Sequence, residues 1–329
     1  MTQIDVPQLA GPAIAALVEA EVERRWPAQA SGVEAMARYG LVPFGQTLGP
    51  MLLIRSALAV GGRVEQVLPA AIAVECLQVG AMMHDDIIDG DRQRYGKPAT
   101  HTVFGAPSAI VGGDALFFSG IQALSECCDA GVPAERVAQS LTVLAQTGRR
   151  IADAVATEIR LGRSICSTKT YLEMIRDKGG SLLWLACGLG SILSGADEAS
   201  VRSLGQYSDL LGIAYQIRDD LMAYDGTQAG KPSVSDMRNG RPTLPVLLAH
   251  RRASRSQRRL IEHLLADTVR PVEERHEAMA GVIASTGALN TARSISHRYA
   301  RIAGDALSGL PVSEHRDALH GLTTPGLLV

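Results

Sequence analysis

The chain has 329 residues, 46% of them hydrophobic and 20% charged. This apolar content excludes extended disorder, and a net charge of −2 argues against a general nucleic-acid binder. Mean hydropathy is +0.09, and no unbroken apolar run reaches the roughly 18 residues a spanning helix needs, so integral membrane insertion is not expected. The opening MTQIDVPQLAG has neither a basic segment nor a continuous apolar stretch, so no secretory signal is read there and a cytoplasmic location is expected. The cysteines (Cys76, Cys127, Cys128, Cys166, Cys187) are odd in number and lack zinc-ligand spacing, which predicts buried free thiols in a reducing compartment. The basic residues are almost all arginine; the lysines are Lys97, Lys169, Lys178 and Lys231.

Along the chain, apolar residues recur at three- and four-residue spacing over 66–88, 107–128, 134–162, 169–195 and 199–223. Alternating β-branched runs are scarce, so the predicted fold class is all-α. Gly61-Gly62, the 90–106 segment, Gly131-Val132-Pro133 and the 225–242 segment punctuate the helices. No linker or repeat divides them, which predicts a single helical domain over 1–329 with its motif-bearing core at about 45–245. The closing TTPGLLV is expected to be loosely held.

Two helices end in aspartates. The first ends in Met83-His84-Asp85-Asp86-Ile87-Ile88-Asp89. Asp85 and Asp89 share a face, and Asp86 lies about 100° round from Asp85. Three carboxylates at a helix C-terminus repel one another and oppose the helix dipole. Divalent cations relieve that cost, and oxygen-only ligands suit Mg²⁺, which binds through one or two carboxylates plus phosphate oxygens. The second helix ends in Gln216-Ile217-Arg218-Asp219-Asp220, with Gly230-Lys231 in the loop behind it. Each cluster is followed by a polar, glycine-containing segment. Together they predict three Mg²⁺ ions gripping a diphosphate.

In order and spacing these blocks resemble the trans-polyprenyl diphosphate synthase family. HDDIIDGDRQRYGKPATHTVFG resembles its first aspartate-rich block and GGDALFFSG the helix start that follows. TEIRLG, YLEMIRDKGGSLL and YQIRDDLMAYDGTQAGKP…DMRNGRPTLP resemble the later blocks, over about Gly45 to Pro245. The resemblance implies an all-α bundle of the isoprenoid synthase type around a central diphosphate and Mg²⁺ cavity, a homodimer, and an allylic prenyl diphosphate as donor. It implies Asp85, Asp86, Asp89 and Asp219 as metal ligands and Arg94, Lys178, Gln216, Lys231 and Arg241 as diphosphate-binding, with Lys178 also counted among the catalytic residues. Gly179 stands where threonine is usual, and Ala223 where the second cluster's last aspartate would be; Ala223 is expected to weaken the metal site without abolishing it.

The second substrate site departs further from the family. Its Gly-Lys-Arg-x-Arg-Pro reads Gly45-Gln46-Thr47-Leu48-Gly49-Pro50 here, its histidine is Gln78, and the second arginine of its pair is Tyr95. Three or four charge-assisted contacts are absent together. At roughly 1.5–3 kcal/mol each, that costs well over a thousandfold in affinity for a diphosphate. The expectation is transfer of the prenyl group to an acceptor other than isopentenyl diphosphate, such as an indole, in a pocket formed by Gln46, Thr47, Gln78 and Tyr95. Cyclisation, ordinary elongation with a rebuilt site, and an idle partner subunit are the alternatives. The 4% aromatic content counts against cyclisation and the intact aspartates against idleness. By the same resemblance, Leu77, Gly80 and Ala81 line the prenyl-chain pocket, and the small Gly80 and Ala81 leave it open to a farnesyl or longer chain. His84 is expected to hydrogen-bond rather than ligate metal, and Glu158 to be structural or to orient a polar network.

Overall fold

The computed structural model describes residues 11–42, 47–225 and 234–324. Helices α1 (Gly11–Arg25) and α2 (Val33–Leu41) lead to α3 (Leu48–Ala59) and the long α4 (Val64–Asp89). A small hairpin, β1 (Gln93–Arg94) and β2 (Lys97–Pro98), is followed by α5 (Thr100–Phe104), α6 (Ala106–Ser125) and α7 (Ala134–Leu161). Next, α8 (Thr168–Ile175) passes through a π-helical turn (Arg176–Gly180) into α9 (Ser181–Ser194) and then α10 (Glu198–Met222). A short α11 (Ser235–Asn239) precedes α12 (Leu244–Arg252), α13 (Arg255–Ala266), α14 (Val272–Thr286), α15 (Ala288–Ala306) and α16 (Glu314–Gly321). The all-α expectation holds.

The helix α4 is central. It lies along α6 and packs against α3 and α9, and residues 70–76 are all buried. An 18-residue window within it reaches a mean hydropathy of 1.4, more apolar than the sequence reading allowed, and 67% of that window is enclosed by the bundle. Its apolar surface therefore meets protein. The helix α10 lies along α15 and α9. Asp197 starts it by accepting from Ser200 N–H at 2.7 Å. Two apolar clusters form the interior. One is built around α3, α4, α9 and the first half of α10, the other around α8, the second half of α10 and α12–α15. The helix α10 belongs to both. All five cysteines are unpaired; Cys76, Cys127 and Cys187 are buried, whereas Cys128 is exposed, against the expectation of burial, because it lies in the turns after α6.

Glycines set how closely these helices approach. A Cβ on Gly190 of α9 would lie 2.4 Å from Leu53 O of α3, and one on Gly212 of α10 would lie 2.4 Å from Gly180 Cα in the π-helical turn. The second contact seats that turn directly on α10. The obstruction is backbone, so no side-chain rotation relieves it. Gly212→Ala is expected to cost about 1–3 kcal/mol, in the range of overpacking, and to lower the midpoint of thermal unfolding by several degrees, measured by circular dichroism.

Candidate active site

The C-terminus of α4, the β1–β2 hairpin, the π-helical turn, α7 and the end of α10 surround one cavity of about 350 Å³. Helix α4 stops at Gly90, whose φ of 66° is left-handed and carries no side-chain penalty. Asp86 and Asp89 are buried there and Asp85 is half-buried. Each carboxylate of the cluster meets a cation from a different segment. Lys178 Nζ lies 3.1 Å from Asp85 Oδ1. Arg94 donates to Asp86 through Nε at 2.9 Å. Arg241 donates to Asp89. Glu158 of α7 bridges two of these cations, accepting from Lys178 at 2.7 Å and Arg241 at 3.1 Å.

The local sequence explains how each cation arrives. The hairpin pairs Gln93 with Pro98 and Arg94 with Lys97, leaving Tyr95 and Gly96 as a two-residue turn. Their φ values, 51° and 76°, are both positive, as a type I′ turn requires. Lys178 rides on the π-helical turn, where the added residue per turn redirects a side chain relative to an α-helix. Arg241 follows the left-handed Gly240 that ends α11. Asn239 Nδ2 donates to Asp89 O at 3.2 Å, and buried Asp91 receives Ser235 Oγ at 2.7 Å and Arg238 at 3.1 Å. These bonds tie α11 to the end of α4.

Electrostatics follow from this pairing. Burial raises the Asp86 carboxyl, and Arg94 offsets only part of that effect. Burial alone would depress the Lys178 ammonium, but Asp85 and Glu158 outweigh it and hold the group above the ordinary lysine range. Arg241 is raised in the same way, burial being outweighed by Glu158, Asp89 and Asp236.

Across the cavity, α10 presents Gln216 and an exposed Asp219, while the adjacent Asp220 is buried. Among the described residues no three acidic, histidine or cysteine side chains form a ready-made metal cage. The donor set is nevertheless one that suits Mg²⁺: carboxylate oxygens only, on two facing helix ends, with room between them for phosphate oxygens and water.

Most of the residues expected from sequence come together here: Asp85, Arg94, Lys178, Gln216, Asp219 and Arg241 all line the cavity. Gln46 and Lys231 lie outside the described residues. On the α3 side, Gln78 and Tyr95 line the cavity with Leu48. Thr47, left-handed at φ 45° just before α3, is not part of the lining. Ala81 lines the cavity beside Met82, Val155, Leu182 and Leu183, which form an apolar recess. Leu77 and Gly80 are not in its wall, because both point into helix packing. Leu77 is buried in the core, and a Cβ on Gly80 would lie 2.7 Å from the Phe117 ring of α6. His84 also faces α6, 3.1 Å from Ile110 O and edge-on to Phe117. Ala223 ends α10, and its carbonyl takes a hydrogen bond from His276.

The sequence reading passed over Glu75. It is a charge inside the apolar run AAIAVECL, one helical turn before Gln78. Its Oε2 has no hydrogen-bond partner among the described residues, and burial pushes its carboxyl up to about 7.

The chain belongs to the polyprenyl synthetase family, whose model matches residues 31–282. A short chain isoprenyl diphosphate synthase of Methanothermobacter thermautotrophicus is 32% identical over 279 residues, covering 84% of this chain and 83% of that protein. A geranylgeranyl pyrophosphate synthase of Geoglobus acetivorans is 31% identical over 290 residues, covering 88% of each. The crystal structure of a polyprenyl synthase from Caulobacter crescentus, complexed with calcium and isoprenyl diphosphate, superposes with a TM-score of 0.87 at 27% identity, over 97% of this chain and 95% of that one. Membership makes this chain a prenyltransferase by family.

Glu75 gives a pH test. A carboxyl that titrates near 4.3 in the unfolded chain and about 7 in the fold binds its proton more tightly when folded. Stability therefore falls as pH rises between those values and levels off above them. Glu75→Gln removes this dependence. It is expected to match the parent near pH 4.5 and to exceed it at pH 8 by up to about 3 kcal/mol, measured by denaturant unfolding.

Proposed function

We propose that the protein ionises an allylic prenyl diphosphate, farnesyl or longer, and transfers the prenyl group to an acceptor other than isopentenyl diphosphate, such as an indole. In this reading Asp85, Asp86, Asp89 and Asp219 would hold Mg²⁺, up to three ions, and Arg94, Lys178, Gln216 and Arg241 would hold the diphosphate, with Lys231, outside the described residues, completing the set. Bound Mg²⁺ would supply stabilisation of the negative charge on the departing diphosphate. The chain's own cations add to that stabilisation: Lys178 and Arg241, steadied by Glu158, stand where a diphosphate oxygen would meet them. The carbon–oxygen bond breaks heterolytically, the acceptor's electron pair closes on the allylic carbon, and the proton lost by the acceptor passes to the released diphosphate. The recess around Ala81, Val155 and Leu182 shields the prenyl tail and keeps water from the cation.

The single observation that carries the acceptor assignment is the neutral α3–α4 side of the cavity. Gln78, Tyr95 and Leu48 line it, and every cation among the described lining residues is tied into the aspartate cluster at the end of α4. Gly49 stands where the family has an arginine, and any side chain there would start 2.7 Å from Val74 Cγ1. A second reading, chain elongation with isopentenyl diphosphate, is favoured by the names of the relatives given above, all of which are synthases of prenyl diphosphates or polyprenyl chains. Cyclisation has no such support. The homodimer implied by the resemblance belongs to the same proposal. It is supported by an exposed apolar strip on α6, where Val111, Phe118 and Ile121 fall at helical spacing and Phe118 is 71% exposed.

Purified protein with Mg²⁺ and geranyl, farnesyl or geranylgeranyl diphosphate, with and without isopentenyl diphosphate, tests the two readings by mass spectrometry. Prenylated indole without consumption of isopentenyl diphosphate is expected; longer diphosphates formed only in its presence establish elongation instead. Ala81→Phe fills the recess and is expected to shift donor preference from farnesyl and geranylgeranyl toward geranyl diphosphate, by about tenfold or more in kcat/KM, as overfilling a tightly packed pocket would.

A further inference from the structure

The paired aspartates at the end of α10 look equivalent in sequence, but the fold separates them. Both border the cavity, but Asp219 is exposed, whereas Asp220 is 3% exposed and its carboxyl is taken up by protein partners. Three elements converge on the Asp220 carboxyl. Tyr171 of α8, itself buried, donates its hydroxyl to Oδ2. Leu244 N–H, at the first residue of α12, donates to the same oxygen at 3.1 Å. Gln216 Nε2, one turn back on α10, approaches Oδ1 at 3.4 Å.

The Leu244 contact has a specific meaning. The first N–H groups of a helix lack partners inside it, and the N-cap of α12, Thr243, makes no side-chain capping bond. The carboxyl of Asp220 replaces that cap from across the fold and meets the positive end of the helix dipole. The start of α12 is thereby fixed to α10 and α8. Arg241 lies three residues before Leu244, in a turn closed by Arg241 N–H to Asp236 O at 2.8 Å and Thr243 N–H to Arg241 O at 3.0 Å. Anchoring Leu244 therefore anchors the backbone from which the Arg241 guanidinium reaches Asp89 and Glu158. The same carboxyl engages Gln216, another cavity-lining side chain.

We propose that Asp220 is a positioning residue rather than a metal ligand: it bolts α8, α10 and the start of α12 together and so aims Arg241 and Gln216 at the diphosphate. This rests on the donor half of the function proposed above, not on the identity of the acceptor. A metal ligand needs its negative charge, whereas a bolt needs only an acceptor oxygen in place. In Asp220→Asn the amide oxygen can still receive Tyr171 and Leu244, and its NH₂ can meet Gln216 once that side-chain amide turns over.

Calorimetric titration of inorganic pyrophosphate into the full chain with Mg²⁺ reads this without any acceptor. Asp219→Asn is expected to abolish or severely weaken binding. Asp220→Asn is expected to bind within about threefold of the parent, and Asp220→Ala to lose about tenfold or more, the worth of one charge-assisted contact. In an Arg241→Gln background that last loss is expected to shrink to the smaller part carried through Gln216, because Asp220 and Arg241 act largely as one unit. Asp220→Asn as weak as Asp219→Asn would make Asp220 a ligand and overturn the inference. So would an undiminished loss in the Arg241→Gln background, which would mark a merely structural role. No binding by the parent protein would instead overturn the proposed function, and this inference with it.

Discussion

Everything in this fold answers to one electrostatic problem: buried carboxylates crowded at the negative end of a long helix. Asp86 and Asp89 are almost fully enclosed at the C-terminus of α4, where the dipole already disfavours anions. An isolated charge in such a place would take up a proton or force the structure open. The bundle instead brings a cation to each carboxylate from a separate part of the chain: the hairpin, the π-helical turn, and the turn between α11 and α12. Those are the irregular features of an otherwise regular helical protein, and each places a charge that a straight helix would misdirect. Among the described lining residues carboxyl groups outnumber cations, Asp85, Glu158, Asp219, Asp220 and Asp236 against Arg94, Lys178 and Arg241. The remaining negative charge suits divalent cations.

The helical periods and both aspartate clusters could be read directly from the sequence, because a heptad-scale apolar pattern and three acids at a helix end are local signals. What could not be read was which neighbour each face would meet. Gly80 and Ala81 are adjacent, and both looked open. Yet about 100° of helical rotation turns Gly80 into the α6 contact and Ala81 into the cavity. Asp219 and Asp220 both border the cavity, yet one is exposed and the other buried. Sequence marks a residue as small or acidic, whereas its role depends on the helix packed against it, and that packing is decided by distant glycines such as Gly180 and Gly212. Glu75 did carry a local signal, a lone acid in an apolar stretch, which is expensive unless something compensates it.

The two halves of the cavity therefore differ in kind. The half at the end of α4 holds the charged network of Asp85, Asp86, Asp89, Arg94, Lys178, Glu158 and Arg241, down to a buried carboxyl at Asp220 that caps a distant helix. On the α3–α4 side, Gln78, Tyr95 and Leu48 line the cavity, and the two helices come close. With no side chain at Gly49, α3 sits so near α4 that an arginine could not be restored there without displacing Val74. Tyr95, a bulky residue at φ 51°, holds a conformation that costs of order 1–3 kcal/mol when glycine is not used. Its ring covers the same side, with its hydroxyl directed at Met82 Sδ 3.6 Å away. Under the proposed function, this close helix contact, the tyrosine and an amide would form a wall suited to a flat, neutral acceptor held by stacking and hydrogen bonding. Such a wall favours an acceptor that needs no diphosphate of its own to be held.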